Sequence, residues 1–332
     1  MPSGSTPPDP ADCRRGATRL VDHCARVAAG ERAGVLAEPD TLDVALHLVE
    51  ILRGRTTHLR LDVIPPLAVH GAPPPAQATE TFAWADVLFG LTRSSMAHTA
   101  DRKRATDRGA RYLSLPDYSL AQLAADSLGF DFETAVPVAA RLKQSLDRGR
   151  SVRVTTAAGT DLTFDVAGRT ANACPGVCRV PGALASPPDA ETHIAPVERT
   201  ADGMLVVDGS IPCREIGLLA APVRLTVRRG AIADADGPAA AALDRVIAGV
   251  GRPEARLLAE FGVGLNPRAR LTGRMLDDEG CAGTVHFGFG SNATIGGTTD
   301  VPFHLDFVVR SPSVWVDGEQ VMDRGERCGA WG

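Results

Sequence analysis

The chain has 332 residues, 44% of them hydrophobic and 23% charged, with a formal net charge of −5. This is the composition of a globular chain long enough for two domains of ordinary size. An acidic balance with no basic stripe and no interleaved aromatics excludes nucleic acid as an expected partner, and no apolar run reaches the roughly 18 residues of a membrane span. With no basic-then-apolar leader, the expected location is cytoplasmic. Seven cysteines without framework spacing read as reduced thiols, and Cys174-Pro-Gly-Val-Cys178 lacks the second Cys/His pair of a zinc finger.

In chain order, residues 1–10 are rich in Pro, Ser, Gly and Asp and read as a flexible tail. Apolar spacing predicts a helix from Leu20 to Ala29, a strand at Gly34–Ala37, a helix at Leu42–Leu52 and a strand at His58–Ile64, which is a βαβ unit with parallel pairing. Further strands are predicted at Ala85–Phe89 and Arg111–Leu115, and helices at Leu120–Leu128 and Glu133–Leu146. No strand is followed by a nucleotide-binding glycine fingerprint. Past Arg148-Gly-Arg150 the texture changes. Val152–Val154 and Leu162–Val166 flank a turn signal, and strand-like alternation continues to the C-terminus with a single strong helix at Pro238–Ile247. The expected fold class is therefore α/β plus α+β: an open α/β domain at 11–150 and a mostly antiparallel, β-rich domain at 151–332 that carries a metal site.

The candidate ligands concentrate in Gly283–Val309, two predicted strands joined by a glycine-rich loop. The period of two puts His304 and Asp306 on one face and Phe303, Leu305 and Phe307 on the other, while His286 shares its face with Gly288 and Gly290. Those glycines are expected to leave space for an ion and its substrate near the backbone. Two imidazoles and a carboxylate converging in a buried place are metal ligands, an acid/base set, or separately satisfied core residues.

Six segments occur together and in order: Gly159-Thr-Asp161-Leu, Pro188-Asp-Ala-Glu191, Ala259-Glu260-Phe-Gly-Val-Gly-Leu-Asn-Pro267, Asp278-Glu279, Gly283-Thr-Val-His286 and His304-Leu-Asp306. In this the chain resembles the aminopeptidase T family of metallopeptidases, which includes leucyl aminopeptidase AmpS and has a fold similar to that of iron-dependent 2,5-dihydroxypyridine dioxygenases. The resemblance implies a metal set of Glu191, Glu260, His286, His304 and Asp306, holding two ions of zinc, cobalt or manganese. It implies a hydrolase acting on a peptide or amide bond, with Glu191 or Glu260 taking a proton from metal-bound water. Four further residues are candidates for substrate contact: His193, if its strand alternates suitably, Asn292, Asp300 and Arg310. The resembling enzymes are commonly dimers, so a homodimer acting on a small peptide or other small molecule is expected.

One departure points elsewhere. The peptidases carry a tyrosine seven residues after the Gly-Thr-x-His histidine, where this chain has Ala293, and the loop from His286 to His304 is shorter than theirs. The alternative is a ring-cleaving dioxygenase with one iron(II) on His286, His304 and Asp306. A third reading is a non-catalytic binder of a peptide or metabolite on the same scaffold.

Overall fold

The computed structural model describes residues 7–68, 71–97 and 99–332. Residues 1–6 of the expected tail lie outside them, and the rest of that segment is ordered differently. Asp9 caps a helix at Pro10–Thr18, accepting from the Ala11 amide, and Arg19–Ala25 continues as a π-helical turn. The helix predicted at Leu20–Ala29 thus starts earlier and ends sooner.

The chain divides into two compact units. One comprises Met1–Phe130 with Gly176–Pro187, the other Asp131–Pro175 with Pro188–Gly332. The division falls before the helix Ala135–Arg148, not after it near residue 150. That helix is held within the second unit: Lys143 Nζ donates to the Ala171 carbonyl, and Thr192 Oγ1 donates to that of Ala139.

The first unit is a parallel sheet in the order His58–Val63, Arg32–Ala37, Val87–Leu91, Arg111–Ser114, Leu184–Ala185. The central strands are buried apolar runs, as a sheet covered on both faces requires. The helix Leu42–Arg53 follows its predicted bounds and buries Val44, Leu48, Val49 and Leu52. Two helices, Ala76–Trp84 and Ala100–Asp107, were not legible in the sequence. The second of these is mostly polar and offers too few apolar positions to show a period.

The second unit contains two antiparallel sheets. The eight-stranded sheet runs Ala231–Asp236, Val223–Arg228, Asp202–Val207, Asp161–Asp165, Ser151–Thr155, Ser313–Val316, Glu319–Asp323, Glu326–Arg327. The seven-stranded sheet runs Gly217–Leu218, Ser210–Ile211, His304–Arg310, Thr284–Gly290, Leu258–Gly264, Glu191–Ile194, Asn172–Cys174. Phe164 of the first packs on Phe261 and Phe287 of the second at 5.3 and 6.2 Å between ring centroids, so an aromatic core lies between the sheets. Period two then turns Glu260, His286 and their same-face neighbours away from that core. Among the described residues no helix is long and apolar enough to cross a membrane.

Candidate metal centre

The charged residues of the seven-stranded sheet alternate with glycine across neighbouring strands. Gly262 lies between His193 and His286, Gly288 between Glu260 and Asp306, while Gly290 pairs with His304 and Gly264 with Glu191. A β-carbon at Gly262 would lie 2.0 Å from His286 Nε2, and one at Gly288 would lie 2.6 Å from His304 Nε2. The missing side chains give the imidazoles room to lie across the sheet. This refines the expectation that the glycines clear space at the backbone for an ion, since the space is filled by the histidine rings.

Two groups of ligand-type side chains meet there and share Glu260. The first is Glu191, Glu260 and His286; the second is Glu260, His304 and Asp306. In the first, His286 Nε2 is 3.1 Å from Glu191 Oε2 and 3.8 Å from Glu260 Oε1. In the second, His304 Nε2 is 3.3 Å from both Glu260 Oε2 and Asp306 Oδ1. His193 joins them, with Nδ1 2.8 Å from Glu191 Oε1 and 3.3 Å from Glu260 Oε1. All five expected ligands therefore come together. His304 and Asp306 share a group with Glu260, while His286 of the triad expected for a single iron stands with Glu191 and Glu260.

Glu191 Oε2 and Asp306 Oδ1 are buried and have no hydrogen-bond partner among the described residues, although an imidazole nitrogen lies close to each. Lone pairs that converge without an aligned donor suit a cation, and a mixed set of carboxylate oxygen and imidazole nitrogen suits iron(II) among the divalent metals. Access differs between the two groups. The side chain of His286 is 1% exposed and that of His304 33%. The second group is the more open of the two at His304.

His304 is set by the loop before it. Its Nδ1 donates to the Ser291 carbonyl at 2.8 Å, which leaves Nε2 for the carboxylates. The adjacent Asn292 is fully buried. Its Oδ1 accepts from the Thr299 amide at 2.8 Å and its Nδ2 donates to Glu198 Oε1 at 3.1 Å. Glu198 also accepts from the Thr298 amide and pairs with Arg169, whose Nη1 donates to the Gly296 carbonyl. Asn292 thus satisfies the loop backbone. Asp300 is exposed, and Arg310 is exposed at the far end of the His304 strand, its Nε donating to the Asp208 carbonyl. Neither joins the cluster.

The sequence reading passed over three neighbours. Asp189 and Glu279 form a further group with Glu191, and Cys174 forms one with Glu191 and His193. Asp189 sits two residues before Glu191, and Glu279 ends the short helix Met275–Glu279. Its neighbour Asp278 is structural, accepting from Ser210 Oγ at 2.5 Å and from the Thr272 amide at 2.6 Å.

Electrostatics sort these carboxyl groups. Burial alone would raise Glu191, but His193 and His286 outweigh it and hold the carboxyl at about 2. Burial opposes charging of His193, yet Glu260 and Glu191 lift it to about 9. Glu260 is likewise held low against its burial by His193, His286 and His304. Asp189 and Glu279 are pushed well above the carboxylate range by burial and then by neighbouring acids. Without a cation the cluster keeps its protons on the imidazoles and on these two outlying acids.

Comparison with known proteins adds the following. The family model described as 2,5-dihydroxypyridine 5,6-dioxygenase matches residues 20–329. A curated 2,5-dihydroxypyridine 5,6-dioxygenase of Pseudomonas putida is 28% identical over 198 residues, a stretch covering 54% of this chain and 55% of that protein. The solved structure of 2,5-dihydroxypyridine dioxygenase from Pseudomonas putida KT2440 superposes with a TM-score of 0.84 at 20% identity, covering 96% of this chain and 97% of the other. AmpT from Thermus thermophilus superposes with a TM-score of 0.67 at 14% identity, covering 96% and 99%. The last two likenesses are of fold. The expectation of a peptide- or amide-cleaving hydrolase is overturned, because the match in sequence is to the dioxygenase branch and the aminopeptidase likeness extends only to fold.

Proposed function

Because this chain belongs to the 2,5-dihydroxypyridine 5,6-dioxygenase family, we propose that it is a ring-cleaving dioxygenase acting on a small hydroxylated heteroaromatic with one iron(II), held by Glu260, His304 and Asp306. The observation that carries the placement is the unpartnered Asp306 Oδ1, 3.3 Å from His304 Nε2, in the more open of the two groups. Iron(II), if held there, would bring the ring and dioxygen together and let electrons pass from the ring to dioxygen. The protein's part is binding, orientation and proton handling. Ser291 fixes the His304 tautomer so that Nε2 faces the carboxylates. Glu260 offers Oε2 toward His304 and Oε1 toward His193 and His286, so it links the ion to a buried proton store. His193, with Nδ1 2.8 Å from Glu191 Oε1, is kept protonated by Glu260 and Glu191, so it would be a group that gives up a proton when a cation binds beside it.

The test is anaerobic loading of metal-free protein with iron(II), followed by oxygen uptake with 2,5-dihydroxypyridine. One iron per chain, consumption of oxygen with the ring, and loss of bound iron in His304→Ala would support the reading. Iron retained in full by His304→Ala, or iron-loaded protein that consumes no oxygen with any hydroxylated pyridine, would overturn it.

A further inference from the structure

The loop that leads into His304 closes on itself at its base, where the Ser291 amide donates to the Phe303 carbonyl at 2.8 Å. Its tip folds over Asn292, whose carbonyl accepts from the amides of Ile295 and Gly297 at 3.1 and 2.8 Å. Three side chains from distant segments hold that tip. Arg169 Nη1 donates to the Gly296 carbonyl at 2.6 Å, Asn172 Nδ2 donates to that of Ile295 at 3.3 Å, and Glu198 Oε1 accepts from the Thr298 amide at 2.7 Å and from Asn292 Nδ2 at 3.1 Å. Arg169 and Glu198 are also paired with each other through Nη2 and Oε2. We propose that this ion pair positions His304: through the loop it fixes the direction of the imidazole that faces the metal group, although neither residue belongs to that group. The proposal rests on the reading of His304 as an iron ligand.

The path from the pair to the imidazole is short. The Ser291 carbonyl, which accepts from His304 Nδ1, belongs to the same planar peptide group as the Asn292 amide. That amide donates to the Thr299 carbonyl at 3.0 Å, while the Thr299 amide donates to Asn292 Oδ1 at 2.8 Å. The peptide plane is thereby held at its nitrogen, and its oxygen is held in turn. Glu198 Oε1 joins Asn292 to Thr298, six positions further along the loop, so a carboxylate that shifts takes both ends of the tip with it.

Burial separates this pair from the ordinary surface ion pairs of the chain. The side chains of Arg169 and Glu198 are 13% and 17% exposed, against 54% and 56% for Arg153 and Asp161 in the same unit. An exposed pair keeps its freedom and fixes little, whereas a dehydrated one holds its geometry. Arginine suits the task because its planar fork presents one nitrogen to Glu198 and the other to Gly296 at a fixed angle. A partner that fixes the outer nitrogen of a ligating imidazole sets ring orientation, and its loss weakens metal binding by about 10–100-fold.

The test is magnetic resonance of the full chain with nitrogen-15 in its histidines, together with titration by iron(II) alone. In metal-free protein the His304 Nδ1 proton is expected to exchange with water about tenfold faster in Glu198→Ala and in Arg169→Ala, the worth of one hydrogen bond to a charged group. Each variant should bind iron(II) about tenfold more weakly or worse. The double variant should be no worse than the weaker single one, because the two residues act as a unit. Glu198→Gln, which keeps an acceptor oxygen for Thr298 and Asn292, should restore slow exchange, and Arg153→Ala should match the wild type in both measurements. A lowered thermal midpoint with unchanged exchange at His304 would mark the pair as merely structural and overturn the proposal, as would additive losses in the double variant. If the alanine variants do not fold, Arg169→Lys decides, since it keeps the charge and loses the fork: faster exchange supports positioning, and wild-type exchange refutes it. Wild-type protein that binds no iron would sink the proposed function, while exchange in metal-free protein would still decide whether the pair positions His304.

Discussion

In the eight-stranded sheet, Asp161–Asp165 and Val223–Arg228 alternate exposed and buried residues, whereas Glu191–Ile194, Leu258–Gly264 and Thr284–Gly290 of the seven-stranded sheet are buried from end to end. Both sheets are antiparallel and lie in the same unit. The first can set its polar groups in water, and its ion pairs, such as Arg153 with Asp161 at 2.8 Å, are exposed ones of small energetic weight. The second must bring together the charges it buries, because a buried charge without a partner is costly. Its carboxylates Glu191, Glu260 and Asp306 and its imidazoles His193, His286 and His304 are therefore interdependent, with Asp189 and Glu279 beside them.

Removing the shared member should break the buried set most completely. Glu260→Ala is expected to abolish iron binding and, by leaving His193, His286 and His304 without their common counter-charge, to lower the stability of metal-free protein by about 3 kcal/mol. Metal analysis and denaturant unfolding measure the two losses. Glu260→Gln, which keeps the volume, should lose the metal with a smaller loss of stability.

The pH response sharpens the contrast next. His193 sits at about 9, above its ordinary value near 6.5, so its stabilising contribution is complete below about 6.5 and is lost as pH rises through 9. Glu191 sits at about 2, so its contribution is present above its ordinary value near 4.3 and is lost as pH falls through 2. Metal-free protein should be most stable between these limits and should weaken on both sides. Because metal and protons compete for the same atoms, iron uptake at neutral pH should release protons, measurable in unbuffered solution. A flat stability profile from pH 6 to 10 would contradict the linkage.

Crowding should follow. Gly262→Ala places a carbon where His286 Nε2 lies, 2.0 Å away, and is expected to cost about 1–3 kcal/mol and to weaken iron binding. Gly249→Ala meets nothing within 4 Å and should be neutral in both respects. Asn292→Ala, which frees the loop that orients His304, should weaken iron binding by about 10–100-fold with little effect on the global fold. A chemical-shift assignment of the His304 ring nitrogens would show the tautomer mixing. On the exposed sheet, Asp161→Ala should leave iron content and thermal midpoint unchanged within error.

Much of the fold could be read from residue order. The parallel unit showed in the alternation of apolar strands with the helix at Leu42–Arg53, and the hairpin Ser151–Thr155 with Asp161–Asp165 showed in its turn. The polar helix Ala100–Asp107 did not, for want of an apolar stripe. At the site, the spacing of His304 and Asp306 was enough to place both on one face. Glu191 and Glu260 were found through ordered motifs, not through periodicity. Asp189 and Glu279 were missed because a carboxylate beside a glycine or proline is ordinarily a turn residue.

The sequence alone determined which residue types face together along each strand, because side-chain direction alternates strictly with position. It determined the class of each unit by the same rule. Only the tertiary structure decided which strands became neighbours, and therefore that Glu260 stands between two groups while Asn292 turns inward to its own loop. Those pairings depend on register and packing across distant segments, and a linear pattern carries no record of them.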